Sequence, residues 1–392
     1  MKILRSIHSL NPAIGGPMEA VKQSSAILAN RGHRVEVVSL DAPDDPWIGE
    51  FPVRVHALGR GRGGYGYTPR LIPWLKEHRR EYDAIIVHGV WQYNSFGVWR
   101  ALHETMTPYF VFPHGMLDPW FKRRYPLKHL KKLLYWPWAE YRVLRDAAAV
   151  LFTSEDERQL ARESFSPYRC REIVVNYGTA APDVDLSSAR ETFLSSFPQL
   201  RTKQFFLFLG RLHEKKGCEL LIEAFAAVRK STPDPESLHL VIAGPCADES
   251  YLQRLKHLAE RTVEESETPI TFTGMLSGDI KWGALAAADA FVLPSHQENF
   301  GIAVVEALAC STPVLISNKV NIWREITMND AGFADEDDLS GTIRLLERWI
   351  ATPGAERNWM RAKARRCFET RFEINRAVDS LLRVLREHRA AA

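Results

Sequence analysis

Residues 296–309 read HQENFGIAVVEALA, and this stretch decides the architecture of the second half of the chain. Two carboxylates, Glu298 and Glu306, flank an Asn-Phe-Gly corner. On one straight helix, eight residues turn about 80° beyond two full turns, so these side chains would not share a face. The stretch therefore predicts a loop that holds Glu298, then a helix over about 302–310 that holds Glu306 and ends before Pro313.

The residues before this corner, AFVLPS (290–295), read as a strand, and strands alternate with amphipathic helical segments along the whole chain. This alternation predicts parallel sheets covered by helices on both faces. The rhythm breaks at NYGTAAPDVDLSSA (176–189), which is rich in turn formers and predicts a linker between two doubly wound domains. No strand follows the amphipathic segment FEINRAVDSLLRVLREH (372–388), so this helix must dock on a domain already built.

The composition is that of a soluble globular protein. The 392 residues are 45% hydrophobic and 25% charged, which favours two domains. Five cysteines without a CxxC pair favour reduced thiols and argue against a disulfide framework or a structural zinc. The start, MKILRSIHSL, interrupts any signal-peptide core with Arg5 and His8, and no stretch reads as a membrane span. We therefore expect a cytoplasmic protein.

Charge is unevenly distributed between the two halves. Residues 1–180 hold 25 Lys+Arg and 18 Asp+Glu, a net +7, whereas the remainder holds 26 and 30, a net −4. The basic residues concentrate in PWFKRRYPLKHLKKLLYWPWAEYRVLR (119–145), beside several aromatic residues. Such a mixture is typical of a lipid headgroup interface, and a solvated helix face with its aromatics in the core is the alternative. We expect Lys128, Lys131 and Lys132 to contact the inner face of the cell membrane or a lipid-diphosphate acceptor, and no recognised nucleic-acid module accompanies them.

The predicted helix N-terminus after the Asn-Phe-Gly corner is a candidate anion site. The N–H groups of Phe300, Gly301 and Ile302 would point out of it, and such groups bind phosphate. A diphosphate flanked by two sugar rings fits, with one carboxylate for the hydroxyls of each sugar. In the alternative, Glu306 merely favours the helix dipole and Glu298 is a solvated loop charge.

The E-x7-E pattern in ENFGIAVVE resembles the retaining glycosyltransferases of family GT4, which have the GT-B fold. Further matches follow in family order: GRLHEKKGCELLIEAF (210–225), LVIAG, ITFTG, LAAADAFVLPS and EALACSTPVL, with IGGP (14–17) similar to the N-terminal Gly-Gly loop. The resemblance implies two Rossmann-like domains facing a cleft. These are an acceptor domain over 1–175 and a nucleotide-sugar domain over 176–371, with 372–392 crossing back onto the first.

The resemblance also implies roles for individual residues of the second domain. Arg211 and Lys216 would bind the donor pyrophosphate, because cations stabilise the leaving-group charge as it develops. Glu298 would hold donor-sugar hydroxyls and Glu306 the ribose. The remaining donor contacts would come from Asn299, Phe300, Gly301 and Ile302 for phosphate, and from Gly274, Met275 and Leu276 for the base. Ser311 replaces the usual Gly, and PCADES replaces a glycine-rich turn, which affects loop shape and hence nucleotide preference.

Four residues of the first domain are candidates for contacts with substrate. Gly15 and Gly16 lie between the first strand and its helix, where Gly lets backbone approach phosphate; an ordinary flexible loop is the alternative. His114 follows the strand YFVFP in the family's HG position near the reacting sugar, although a lone His is more often structural. Asp118 would orient His114 or an acceptor hydroxyl.

Two motifs are more simply explained without function. GRGRGG (59–64) matches GxGxxG but leads into YGYTPRLIP rather than an apolar helix, so we expect a mobile acceptor-side loop. Asp183-Val184-Asp185 matches the DxD of metal-dependent transferases but follows no apolar strand, so helix capping or solvation explains it better. No other carboxylate or His cluster reads as a metal site, and no cofactor is expected beyond the donor substrate.

The sequence thus predicts a retaining, metal-independent hexosyltransferase that uses a UDP- or GDP-sugar. By resemblance, the acceptor is a hydroxyl of a glycan or lipid-linked oligosaccharide in bacterial polysaccharide biosynthesis, that is, exopolysaccharide or lipopolysaccharide assembly. The resemblance favours a front-face route, in which the departing phosphate accepts the proton of the acceptor. Two alternatives remain: a nucleotide-sugar epimerase or hydrolase, and a non-catalytic nucleotide-sugar-binding protein at a membrane.

Overall fold

The structure, a computed structural model, describes residues 1–12, 15–262 and 269–391. The chain divides into two compact units, Met1–Ala180 with Ile374–Ala392, and Ala181–Glu373. Ile14 of the Gly-Gly loop lies outside the described residues.

The first unit is a parallel sheet with helices on both faces. Within the described residues the sheet has seven strands in the order β3-β2-β1-β4-β5-β6-β7. The strands are β1 Lys2–Ile7, β2 Arg34–Ser39, β3 Arg54–Ala57, β4 Ala84–His88, β5 Tyr109–Phe112, β6 Ala149–Phe152 and β7 Glu172–Val174. The helices are α1 Gly16–Asn30, α2 Pro46–Gly49, α3 Leu71–His78, α4 Tyr93–Leu102, α5 Trp120–Arg124, α6 Pro126–Tyr135, α7 Glu140–Arg145 and α8 Glu155–Ala161.

The second unit repeats this plan. Its six described strands run in the order β10-β9-β8-β11-β12-β13. The strands are β8 Gln204–Leu209, β9 Leu238–Ala243, β10 Ile270–Gly274, β11 Ala290–Leu293, β12 Val314–Ser317 and β13 Gly332–Asp335. The helices are α9 Leu186–Ser196, α10 Cys218–Ser231, α11 Glu249–Thr262, α12 Gly278–Ala287, α13 Ile302–Ala309, α14 Trp323–Met328, α15 Leu339–Ala351 and α16 Gly354–Cys367. The short edge strand β13 was not predicted, because GFAD carries only one large apolar residue.

The last helix, α17 Ile374–Ala391, belongs to the first unit although it follows the second along the chain. Its buried Val378, Leu381 and Leu385 pack in one apolar cluster with Ile86 of β4 and Phe110 of β5. The amphipathic pattern read from the sequence is therefore the face that covers the first sheet, and the α/β expectation of two Rossmann-like domains is confirmed.

Both sheets place their strand-order reversal next to the first strand of the unit, between β1 and β4 and between β8 and β11. In open parallel sheets, ligands bind beyond the carboxyl ends of the strands at such a switch point. Residues that directly follow β8 and β11 in the second unit, and β1 and β4 in the first, therefore hold the positions from which a site is built.

Candidate active site

The Asn-Phe-Gly corner forms the predicted loop and helix start. Gly301 caps α13 with φ 75°, a left-handed conformation that favours glycine. A Cβ at Gly301 would lie 3.4 Å from Cγ of Glu298, so the Glu298 side chain rests against the helix start. In the part of the chain that the structure describes, the N–H groups of Gly301 and Ile302 have no acceptor. The corner thus presents backbone donors beside a carboxylate.

The turn after β8 is fixed against the end of β11. Gly217 has φ 69°, and a Cβ there would lie 2.3 Å from the carbonyl oxygen of Pro294, so only glycine allows this approach. The Lys215 carbonyl accepts from Ser295 Oγ at 3.0 Å and from the His296 N–H at 2.8 Å. These contacts of Lys215 position the next residue, Lys216, beside the loop that holds Glu298.

Lys216 Nζ donates to Glu298 Oε2, and the two side chains are only 17% and 15% exposed. Burial lowers the pKa of Lys216 to about 7, and the neighbouring cations Lys215 and Arg211 act in the same direction. The Glu298 carboxylate is the acidic partner of this amine. Glu298 is therefore not a solvated loop charge, and the pair is an electrostatic unit at the switch point of the sheet.

Arg211 and the predicted base loop lie on the surface of the same unit. The Arg211 side chain is exposed, and within the described ranges it makes no hydrogen bond or ion pair, which leaves its guanidinium available to an anion. Gly274 ends β10 with φ 70°, Met275 is 72% exposed and Leu276 is half-buried. The 274–276 loop can therefore offer its backbone to a ligand.

Glu306 has a partner that sequence reasoning missed. Its carboxylate accepts from Lys281 Nζ of α12 at 2.7 Å, with side-chain exposures of 8% and 23%. Lys281 also lies over the Trp282 ring, 4.4 Å from its centroid. No motif marks Lys281; a cation in the short, mostly apolar helix GDIKWGALAA was the available signal. The second carboxylate of the E-x7-E pair is thus held in place from a neighbouring helix.

In the first unit, His114 follows β5 and adopts φ 51°, which is uncommon outside glycine. Its Nε2 lies 3.1 Å from Nδ1 of His88, at the end of β4. Burial lowers the pKa of His114 to about 3, and the Arg5 guanidinium acts in the same direction, so the ring is neutral. His88 thus contacts the imidazole from the neighbouring strand, whereas the Asp118 carboxylate accepts from the Trp120 N–H at 2.7 Å. A role for Asp118 towards His114 or an acceptor hydroxyl stays a prediction.

The Gly-Gly loop begins α1. Gly15 has φ 96° at the helix N-cap, and among the described residues no atom lies within 4 Å of the position a Cβ would take. Gly16 is the first residue of the helix. The backbone conformation at Gly15 therefore favours glycine.

The two discounted motifs have structural explanations. Arg60 of the GRGRGG loop pairs with Asp45, and Arg62 bonds through its backbone to Tyr67. The next helix, α3, begins only at Leu71, so the loop does not open a helix as a dinucleotide fingerprint requires. Asp185 of the DxD match accepts from the N–H groups of Ser187 and Ser188 and caps α9. Among the residues described, no group of three or more His, Cys, Asp or Glu side chains could hold a metal ion.

Two family models cover most of the chain. Residues 15–178 match the glycosyl transferase 4-like domain, and residues 190–366 match the glycosyl transferases group 1. The chain is a glycosyltransferase of family GT4. The prediction made from the ordered motifs is thereby confirmed.

Similar proteins show the range of activities within this family. The GT4 chain is 26% identical to a GDP-mannose-dependent alpha-(1-6)-phosphatidylinositol dimannoside mannosyltransferase of Mycobacterium tuberculosis, over 98% of this chain and 96% of that one. It is also 26% identical to the alpha-monoglucosyldiacylglycerol synthase of Streptococcus pneumoniae, over 87% and 77%.

Solved structures share the fold. The Anabaena protein HepE, in complex with UDP and glucose, superposes with a TM-score of 0.76 at 18% identity, over 99% of this GT4 chain and 100% of that one. The sucrose-phosphate synthase of Thermosynechococcus elongatus gives 0.77 at 20% identity, over 100% of both chains.

Proposed function

We propose that this GT4 enzyme transfers a hexose from a UDP- or GDP-sugar to a hydroxyl of a glycan or lipid-linked oligosaccharide in bacterial polysaccharide biosynthesis, with retention of the anomeric configuration. The observation that carries the proposal is the Lys216–Glu298 pair beside the open N–H groups of Gly301 and Ile302. A diphosphate is the ligand that would use these donors together.

The Lys216–Glu298 pair implies that the donor contacts Lys216 first and Glu298 second. A diphosphate seated at the start of α13 would compete with the Glu298 carboxylate for the Lys216 ammonium. Once Lys216 turns to phosphate, Glu298 is released to accept hydrogen bonds from hydroxyls of the transferred sugar. The exposed Arg211 guanidinium would add a second cation, so the charge developing on the leaving group meets fixed positive charge and backbone dipoles. Glu306, held by Lys281, would take the ribose.

The departing phosphate would accept the proton of the attacking hydroxyl, in agreement with a front-face route. Lys216 and Arg211 bind that phosphate, and neither needs to gain or lose a proton for the step. We propose that no metal takes part, since the cations and helix N-terminus supply the stabilisation that a metal would otherwise give.

Thermal-shift screening with UDP, GDP, ADP and their sugars tests donor class, because a ligand that binds the folded state raises apparent stability by RT ln(1 + [L]/Kd). We expect the nucleotides of one base to raise the Tm by several degrees at a concentration of about a hundred times their Kd. We expect EDTA to leave the rate of sugar transfer unchanged. Sugar release or isomerisation without any acceptor would instead identify a hydrolase or epimerase. Nucleotide binding without turnover towards any acceptor would indicate a binding protein.

For the acceptor side, we propose that α6 contacts the membrane surface, as the basic stretch 119–145 predicts. Leu127, Leu130 and Leu134 lie on one face of α6 and are 79%, 56% and 71% exposed, and Trp138 beyond the helix is 51% exposed. The exposed residues are thus mainly leucines, whereas Trp136 is buried. No described helix is both long and apolar enough to cross a bilayer, so contact would be superficial.

The cations beside this leucine face divide into two groups. Lys128 and Lys131 are exposed, as an interaction with anionic headgroups requires. Lys132 points inward, with Nζ 4.5 Å from the centroid of the Trp91 ring. Of the three lysines expected to contact the membrane or a lipid-diphosphate acceptor, we therefore propose the membrane contact for Lys128 and Lys131 only.

Replacing Lys128 and Lys131 by alanine is expected to weaken binding to vesicles containing an anionic phospholipid about thirtyfold, since each cation near such a surface contributes about 1 kcal/mol. Leu130→Asp with Leu134→Asp should abolish binding. Lys132→Met serves as the matched control and should bind like the wild type. Sedimentation with vesicles measures all four proteins, and equal binding by the alanine variant would refute the contact.

A further inference from the structure

A buried arginine and two histidines form a chain of contacts near the carboxyl ends of β1, β4 and β5 in the first sheet. Arg5 of β1 is 2% exposed, and its Nη1 lies 3.5 Å from Nε2 of His88. His88 Nδ1 lies 3.1 Å from Nε2 of His114. Arg5 and His88 come from the two strands that flank the switch point, and His114 lies two residues after the end of β5, the next strand.

Arg5 determines which nitrogen of His88 carries the proton. A guanidinium has only N–H groups toward its neighbours and cannot accept a hydrogen bond. A proton on His88 Nε2 would face this cation and leave the Nη1–H without an acceptor, so Nε2 must present its lone pair. In the neutral ring, the proton then lies on Nδ1, and that N–H donates to Nε2 of His114.

The contact with His88 also fixes which nitrogen of His114 carries the proton. Because His114 Nε2 accepts, the neutral His114 ring carries its proton on Nδ1. Within the described ranges, Nδ1 of His114 has no partner, and the side chain is half-buried rather than enclosed. The chain of contacts therefore ends in one N–H that no described group accepts.

We propose that Arg5 and His88 are positioning residues that fix His114 as the Nδ1–H tautomer, so that it donates a hydrogen bond to a hydroxyl oxygen of the sugar substrate. His114 is then not the base that takes the acceptor's proton, because Nε2 is occupied and Nδ1 already carries hydrogen. This inference rests on the proposed function only for the identity of the oxygen that receives the bond. The tautomer itself is a property of the protein without substrate.

Long-range 1H–15N correlation spectra of protein labelled at histidine test the tautomer. We expect His114 to show a protonated Nδ1 and an unprotonated Nε2 in the wild type and in Arg54→Met, a matched control at the exposed start of β3. Arg5→Met should convert His114 to a mixture of tautomers, whereas Arg5→Lys, which keeps the cation, should not. A wild-type His114 protonated at Nε2 overturns the proposal whether or not any variant folds.

Kinetics provide the second readout. Arg5→Met should lower kcat about ten- to hundredfold, as for a misplaced contact to the reacting sugar, with KM for the donor within about twofold. An unchanged kcat in a variant whose His114 tautomer has changed would overturn the role in transfer. If the wild type shows the Nδ1–H tautomer but transfers no sugar, the proposed function fails and the positioning chain stands.

Discussion

Replacing Lys216 by alanine is expected to lower kcat by at least about a hundredfold, the loss typical of removing one strong contact to developing transition-state charge. Lys216 is the cation that the folded chain holds against Glu298 at the switch point of the second sheet. Its removal takes away phosphate stabilisation and leaves the Glu298 carboxylate without its ammonium partner. Initial-rate measurement with the donor found by thermal shift gives kcat and KM separately.

The matched control for this experiment is Lys230→Ala. Lys230 lies in the last turn of α10 in the same unit and is exposed, so its loss should leave kcat within about twofold, as expected for a surface substitution. Circular dichroism and the Tm of both variants establish that the fold persists. A Lys216→Ala enzyme with near-normal kcat would refute the role given to this residue.

The second large effect concerns stability and pH, through Glu140 at the start of α7. Glu140 is completely buried, and its Oε1 accepts from the Trp91 N–H and from Ser95 Oγ, each at 2.8 Å. Burial raises the pKa of Glu140 to about 7 from its usual 4.5. Between these values the folded state keeps a proton that the unfolded state has released. This contribution to stability is therefore complete below pH 4.5 and is lost as the pH rises to 7.

From pH 4.5 to above pH 7, this group should lower the free energy of unfolding by about 3 kcal/mol, at 1.36 kcal/mol for each unit of pKa difference. Glu140→Gln cannot ionise and should remove that part of the dependence. Urea unfolding at pH 5 and pH 8 measures the difference between wild type and variant. Glu163 is exposed, so Glu163→Gln serves as the control and should have the same free energy of unfolding as the wild type at both pH values. If the free energy of unfolding of Glu140→Gln fell between pH 5 and pH 8 as much as that of the wild type, Glu140 would not be the group responsible.

Much of the candidate site was predictable from sequence because its features are local. The Asn-Phe-Gly corner, the helix that begins at Ile302 and the position of Glu298 before it follow from glycine and proline placement within a few residues. The amphipathic face of α17 was equally readable, since helical periodicity marks Val378, Leu381 and Leu385 without any knowledge of their partner. Lys216 was predicted as a site residue from the family motif.

The failures concern contacts between residues far apart in sequence. Lys281 holds Glu306 from a neighbouring helix, 25 residues earlier. His114 bonds to His88, a partner that the sequence did not indicate, because adjacent parallel strands bring β4 and β5 together. Lys132 belongs to the basic stretch by composition, but the direction of its side chain on α6 places it over Trp91.

The sequence by itself determined the kind of element along much of the chain, the doubly wound class and the family, because propensity, periodicity and ordered motifs act over short spans. Only the tertiary structure decided which charges meet: Lys216 with Glu298, Lys281 with Glu306, and Arg5 with His88. The physical reason is that electrostatic and hydrogen-bond energies depend on separations of a few ångströms. Strand order and helix packing set those separations, and neither can be read from residue spacing alone.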